Sequence, residues 1–145
     1  MIKILIASHG YYAKGAESAL EIIIGNRSNV TYLSAYVEDK SLKEDVEEYF
    51  KGVSEEDSVI ILTDLFGGSV NQTLTSYVKR ENTYIISGFN LALLLEILLL
   101  DSDSSVDVNR LREIVEGSRQ QIIFLNDCLQ EESNKDSQED TELFD

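Results

Sequence analysis

Proline is absent from this chain of 145 residues, and cysteine and histidine occur once each, as Cys128 and His9. One cysteine can form neither an internal disulfide nor a thiolate metal cluster, which suits a reducing, cytoplasmic compartment. Cys128 accordingly reads as an inert, partly buried side chain rather than a reactive thiol. Positive charge is scarce as well: 12 Lys and Arg stand against 27 Asp and Glu, for a net charge of −15. That balance repels phosphate backbones and anionic lipid, so nucleic-acid or membrane-surface binding would need a local basic patch, and none is visible along the chain. Basic partner proteins are favoured instead.

Long apolar runs are missing too. The longest, Leu91 to Leu100, contains Glu96 and is about half of the roughly 20 residues that a membrane-spanning helix needs, so it reads as a buried helix. The opening run, Met1 to Ile6, is short, and Gly10 with two tyrosines leads into a helical pattern without a small-residue cleavage site. A strand is expected there, not a signal peptide. No internal repeat is visible.

What remains is an ordinary globule. Apolar residues make up 43% and charged residues 27%, which argues against a disordered or fibrous chain, and the length suits one domain with a sizeable core. Residues 1–130 are expected to form that domain. The last fifteen, Glu131 to Asp145, hold seven acids against Lys135 and carry −6 of the net charge. A mobile or weakly docked acidic tail is expected from 131 to 145.

Strand-like runs at Ile2 to Ala7, Val30 to Tyr36, Ser58 to Thr63 and Thr83 to Ser87 alternate with segments of helical spacing, the pattern of an α/β domain. The first and third runs are almost continuously apolar, as in parallel strands covered on both faces, and are predicted to be central. Ala16, Ala19, Leu20 and Ile23 mark a helix ending before Gly25, and Ser41 with Glu44 forms a capping signature for a second. A third helix is predicted from Gly68 or Ser69 to Lys79, and a fourth over Asn90 to Leu100. Val108, Leu111, Val115, Ser118, Ile122 and Leu125 trace a stripe along one long last helix, facing the sheet or a second subunit. The expected fold is an open, doubly wound, mainly parallel four-stranded sheet with helices on both faces, with room for an extra edge strand at the carboxyl end.

In such sheets the ligand crevice lies beyond the carboxyl ends of the central strands, and two motifs fall there. Ser8-His9-Gly10 follows the first strand, and Asp64-Leu65-Phe66-Gly67-Gly68-Ser69 follows the third and leads into a helix. A neutral imidazole is a competent nucleophile that forms a readily transferred phosphoramidate. Asp64 is placed to accept the proton of the other ring nitrogen and to stabilise the ring after attack, and Gly67-Gly68-Ser69 to let backbone N–H groups and a hydroxyl approach a phosphate. Phosphoryl transfer asks mainly for positioning and electrostatics, so this set needs neither metal nor organic cofactor. Each part also has a structural reading, as a core histidine, a turn glycine pair or a helix cap; the case rests on their coincidence at one crevice.

Ile4-Leu5-Ile6-Ala7-Ser8-His9-Gly10 with Ala13 and Gly15, Thr63-Asp64-Leu65-Phe66-Gly67-Gly68-Ser69 with Asn71, and Ser87-Gly88-Phe89-Asn90-Leu91 with Glu96 together resemble the mannose-type enzyme IIA domain of the bacterial phosphoenolpyruvate-dependent sugar phosphotransferase system. The resemblance runs over about residues 1–125. It implies that His9 accepts phosphate from the phosphocarrier protein HPr and donates it to a IIB component, with Asp64 orienting the ring and Ser69 contacting the phosphoryl group. It further implies a cytoplasmic homodimer that meets the membrane only indirectly, through the IIC/IID transporter. Ser8, Gly10, Phe66, Asn71 and Asn90 are expected to line the site. Val70 departs from the family pattern, which has proline there; proline would only preset φ, so no ligand is lost. A subunit feeding dihydroxyacetone kinase, a receiver-like module phosphorylated on Asp64, and a sensor with a degenerate site stay open as alternatives.

Overall fold

The computed structural model describes the backbone of residues 1–144 and the side chains of residues 1–136. The chain runs β1 (Ile2–His9), α1 (Tyr12–Ile24), β2 (Val30–Ala35), α2 (Leu42–Lys51), β3 (Ser58–Thr63), α3 (Ser69–Thr75), a 3-10 turn over Ser76–Lys79, β4 (Thr83–Ser87), α4 (Leu91–Leu98), α5 (Val108–Arg119) and α6 (Leu125–Phe144). The strands form one parallel sheet in the order β2-β1-β3-β4. The two most apolar runs are central, as expected, and almost fully buried, whereas the edge strands β2 and β4 are mostly half-buried.

Alternate residues of β1 and β3 feed two cores. Ile2, Ile4, Ile6, Ile60 and Leu62 pack against Leu20 of α1, Leu94 and Ile97 of α4, and Leu111 and Ile114 of α5. Leu5, Ala7, Val59 and Ile61 face the other way, against Leu42 and Val46 of α2 and Val70 and Leu74 of α3. Each such side chain contributes about 1.5–3 kcal/mol when fully buried. Helix starts follow the polar residues in the sequence: Ser41 Oγ accepts the Glu44 N–H at 3.2 Å, Asn90 Oδ1 that of Leu93 at 2.8 Å, and Asp107 Oδ1 that of Asn109 at 2.9 Å.

Two elements differ from expectation. The third helix tightens after Thr75 into the 3-10 turn that ends at Lys79. The last helix is not continuous: α5 stops at Arg119, and α6 starts afresh at Leu125. The apolar stripe is used only as far as there is a sheet to cover. Leu111 and Ser118 are buried and Val115 is half-buried, whereas Val108 at the start is 40%, Ile122 78% and Leu125 60% exposed. Among the described residues the carboxyl segment adds no strand; α6 occupies that region, with its described side chains exposed apart from a half-buried Cys128. The acidic stretch from Glu131 lies on α6, and its side chains beyond Asp136 fall outside the described residues.

From β1 the chain winds outward to β2, and from β3 it winds outward to β4 on the other side. The winding therefore reverses between the two central strands, and a crevice opens at their carboxyl ends. Ala7 is paired with Thr63 there, so His9 and Asp64 emerge side by side.

Candidate functional site

His9 closes β1, and its surroundings fix both of its ring nitrogens. Asp64, the first residue after β3, turns its carboxylate back so that Oδ2 accepts the His9 backbone N–H at 2.9 Å and lies 2.9 Å from ring Nδ1. An ionised carboxylate can only accept, so Nδ1 carries the proton and the neutral ring presents its lone pair on Nε2. Nε2 lies 3.2 Å from Ser69 Oγ, at the start of α3. The imidazole is 41% exposed and the Asp64 side chain 10%: the ring is open to solvent while the carboxylate beside it is shielded. Asp64 Oδ1 is buried with no hydrogen-bond partner among the described residues, so the carboxylate's bonding is directed at His9.

The glycines between Asp64 and Ser69 shape the space around the ring. Gly67 has φ of 76°, a conformation open to glycine at little cost. At Gly68 the constraint is room: an added Cβ would lie 3.3 Å from His9 Cε1 and 3.3 Å from the Leu65 carbonyl oxygen. The Gly68 N–H already donates to that carbonyl at 3.1 Å. It is therefore engaged within the loop, and Gly68 serves the site by letting the imidazole approach. Val70 is fully buried in the core beneath α3, which seats this turn by packing where a proline would have done so by restricting φ.

The other expected lining residues divide between rim and scaffold. Phe66 is 84% exposed on the loop beside the crevice. Ser8 is buried, and its hydroxyl accepts the Ala13 N–H at 2.6 Å, serving the open start of α1. The Gly10 N–H donates to the Ala35 carbonyl at 2.8 Å and ties the end of β1 to β2. Asn71 is buried; its Oδ1 accepts from Thr63 Oγ1 at 2.9 Å and from Ser87 Oγ, joining α3 to β3 and β4. Asn90 caps α4 and donates from Nδ2 to the Ser118 carbonyl at 2.9 Å, locking α4 to α5. Glu96 pairs with Arg110 of α5 at 3.3 Å. Among the described residues no group of three or more His, Cys, Asp or Glu side chains is placed to hold a metal ion, and no helix is long and apolar enough to cross a membrane.

One residue at the site is missing from the sequence-based set. Tyr36, directly after β2, donates its hydroxyl to Ser69 Oγ at 2.7 Å, and its ring centroid lies 5.7 Å from that of His9. Its φ of 66° is left-handed, shared by one other non-glycine residue, Asn82, among those described; such a conformation costs of order 1–3 kcal/mol. The pairing of His9 with Ala35 brings Tyr36 here, a register that spacing along one chain does not reveal.

The EIIA-man family model, described as the PTS system fructose IIA component, matches residues 3–129. The fructose-specific EIIA component of Bacillus subtilis is 27% identical over 103 residues, covering 69% of this chain and 70% of that protein. The mannose-specific EIIAB component of Escherichia coli K12 is 30% identical over 111 residues, 73% of this chain but 34% of that protein, so the chain spans about a third of the length of that relative. The crystal structure of phosphotransferase system component EIIA from Streptococcus agalactiae superposes with a TM-score of 0.75 at 26% identity, over 88% of this chain and 100% of that one. The family match over nearly the whole described body, on a fold shared with solved EIIA proteins, makes this chain a member of the mannose-type EIIA family of the sugar phosphotransferase system.

Proposed function

We propose that this chain is a cytoplasmic phosphocarrier that takes a phosphoryl group from phospho-HPr onto His9 and gives it to a IIB component. The observation that carries this reading is the fixed imidazole, with Nδ1 held to Asp64 at 2.9 Å and Nε2 turned to the open side beside Ser69. In the transfer, the Nε2 lone pair forms a new N–P bond as the donor's N–P bond breaks. The positive charge that develops on the ring is stabilised by Asp64, which keeps its hydrogen bond to Nδ1–H throughout. The Ser69 hydroxyl turns from Nε2 to a phosphoryl oxygen, and the same steps run backward onto the acceptor. Asp64 is unsuited to be the phosphoryl acceptor, because it is shielded and its Oδ2 is already bonded to both the backbone and the ring of His9; this favours histidine chemistry over a receiver-like module.

The acceptor is tested by a chase. The chain, labelled through phosphoenolpyruvate, enzyme I and HPr, is mixed with IIB proteins of different sugar specificity or with the dihydroxyacetone kinase subunits. Rapid loss of label to a IIB protein is expected, and loss to the kinase system alone would replace the acceptor.

We further propose that the chain works as a homodimer. Ile122, Ile123, Phe124 and Leu125 are 54–78% exposed in succession, and among the described residues no strand pairs with the outer edge of β4, beside an apolar groove of about 390 Å³ that includes Tyr84, Ile86, Val108 and Val115. A second copy's apolar segment laid on this edge would satisfy both surfaces. Sedimentation of the native chain should give twice the monomer mass, and Phe124→Asp should shift it toward monomer; a wild-type monomer at micromolar concentration would contradict the proposal.

A further inference from the structure

The phenol of Tyr36 has no place in the chemistry described so far, yet it is bonded into the site. Its hydroxyl donates to Ser69 Oγ at 2.7 Å, and Ser69 Oγ lies 3.2 Å from His9 Nε2. Tyr36 follows β2, Ser69 opens α3 and His9 closes β1. The Tyr36 side chain is not held there by burial, since the residue is 66% exposed. Its left-handed backbone, with φ of 66°, aims the ring across the crevice from the β2 side, and persistent strain of this kind is found where surrounding structure demands a special direction. The preceding residue, Ala35, anchors the turn by accepting the Gly10 N–H at 2.8 Å.

We infer that Tyr36 is a positioning residue for phosphoryl transfer, acting through Ser69; this rests on His9 being the phosphoryl acceptor. A serine hydroxyl has one proton to give and two lone pairs to receive with. When Tyr36 donates into one lone pair, the rotation of the Ser69 hydroxyl is restricted, and its single proton points at Nε2. In the free protein that proton rests on the nucleophile's lone pair. When the N–P bond forms at Nε2, the same proton is already beside the arriving phosphoryl oxygens and reaches them by a small rotation. Tyr36 thereby turns a freely rotating hydroxyl into a directed donor, in keeping with a reaction whose catalysis is largely positioning.

The test combines one spectroscopic and one kinetic measurement on the full chain. His9 is the only histidine, so its ring nitrogens give unambiguous ¹⁵N resonances in the unphosphorylated protein. In Tyr36→Phe, Nε2 should move toward the position of an imine nitrogen without a hydrogen bond, in the same direction as in Ser69→Ala. The phosphoryl transfer rate from phospho-HPr should fall about 2- to 5-fold in Tyr36→Phe, but by under about 1.5-fold when the change is made in Ser69→Ala, because coupled partners are not additive. An unmoved Nε2, an unchanged rate in Tyr36→Phe, or an equal loss in both backgrounds would each overturn the inference. Loss of the phosphocarrier reading is a separate result: it would appear as labelling that survives His9→Ala, whatever Tyr36→Phe does.

Discussion

Asp64 binds His9 twice through one oxygen, and the two bonds do different things. The bond from the backbone N–H fixes where the carboxylate sits relative to β1, and the bond to Nδ1 fixes which ring nitrogen is free. In the proposed transfer, Asp64→Asn keeps the shape but removes the charge that would offset the developing imidazolium, and its amide can present a donor to Nδ1 and invert the tautomer. Transfer should slow by about 10- to 100-fold, the value of one charge-assisted bond, with the thermal midpoint little changed; stopped-flow transfer from phospho-HPr measures this, and a wild-type rate would remove Asp64 from the mechanism. Ser69→Ala should cost less, about 2- to 10-fold, as a neutral donor does. Gly68→Ala is predicted to displace the ring, because its Cβ would press on His9 Cε1 at 3.3 Å. Its signature would be slowed transfer with a perturbed His9 ring resonance.

Elements carry these residues to one point, and the sequence was informative about elements to the extent that burial followed pattern. β1 and β3 could be read as central strands because their runs are apolar on both faces, α1 and α2 because spacing agreed with the end signals Gly25 and Ser41, and α4 from its leucine-rich run. The last helix could not be read correctly, since its stripe keeps helical spacing past the point where any sheet remains to bury it, and Ile122 stays in solvent. Tyr36 was hidden for a related reason: its proximity to His9 depends on the pairing of β1 with β2, a relation between distant segments. Asn71, read as a lining residue, instead joins three elements through Thr63 and Ser87. Asn71→Ala should leave both hydroxyls unpaired and cost about 1–3 kcal/mol of stability, read as a shift in urea midpoint; no shift would mean that water replaces the amide without loss.

At the scale of the whole molecule, the two ends of the sheet do separate work. The carboxyl ends of β1 and β3 hold the site, while at their amino ends Asp57 sits 3.5 Å from Lys3 and accepts the Ser54 N–H at 3.1 Å. Desolvation pushes the Asp57 carboxyl up, but the Ser54 N–H and the Lys3 ammonium outweigh it and hold the group below its ordinary value. A carboxyl lowered in the folded state contributes stability above the unfolded pKa of about 3.9 and loses it as pH falls through the lower folded value. Asp57→Asn should therefore shrink the drop in thermal midpoint between neutral and strongly acidic pH; an unchanged acid limb would show that this clip contributes nothing. The acidic chain, with 27 acids against 12 bases, also favours a basic partner face over a nucleic acid or anionic membrane. The proposed role of His9 is tested most directly by incubation of wild type and His9→Ala with labelled phosphoenolpyruvate, enzyme I and HPr. The account predicts an acid-labile, alkali-stable label on wild type and none on His9→Ala; a label retained by His9→Ala, or a wild type that takes none, would contradict it.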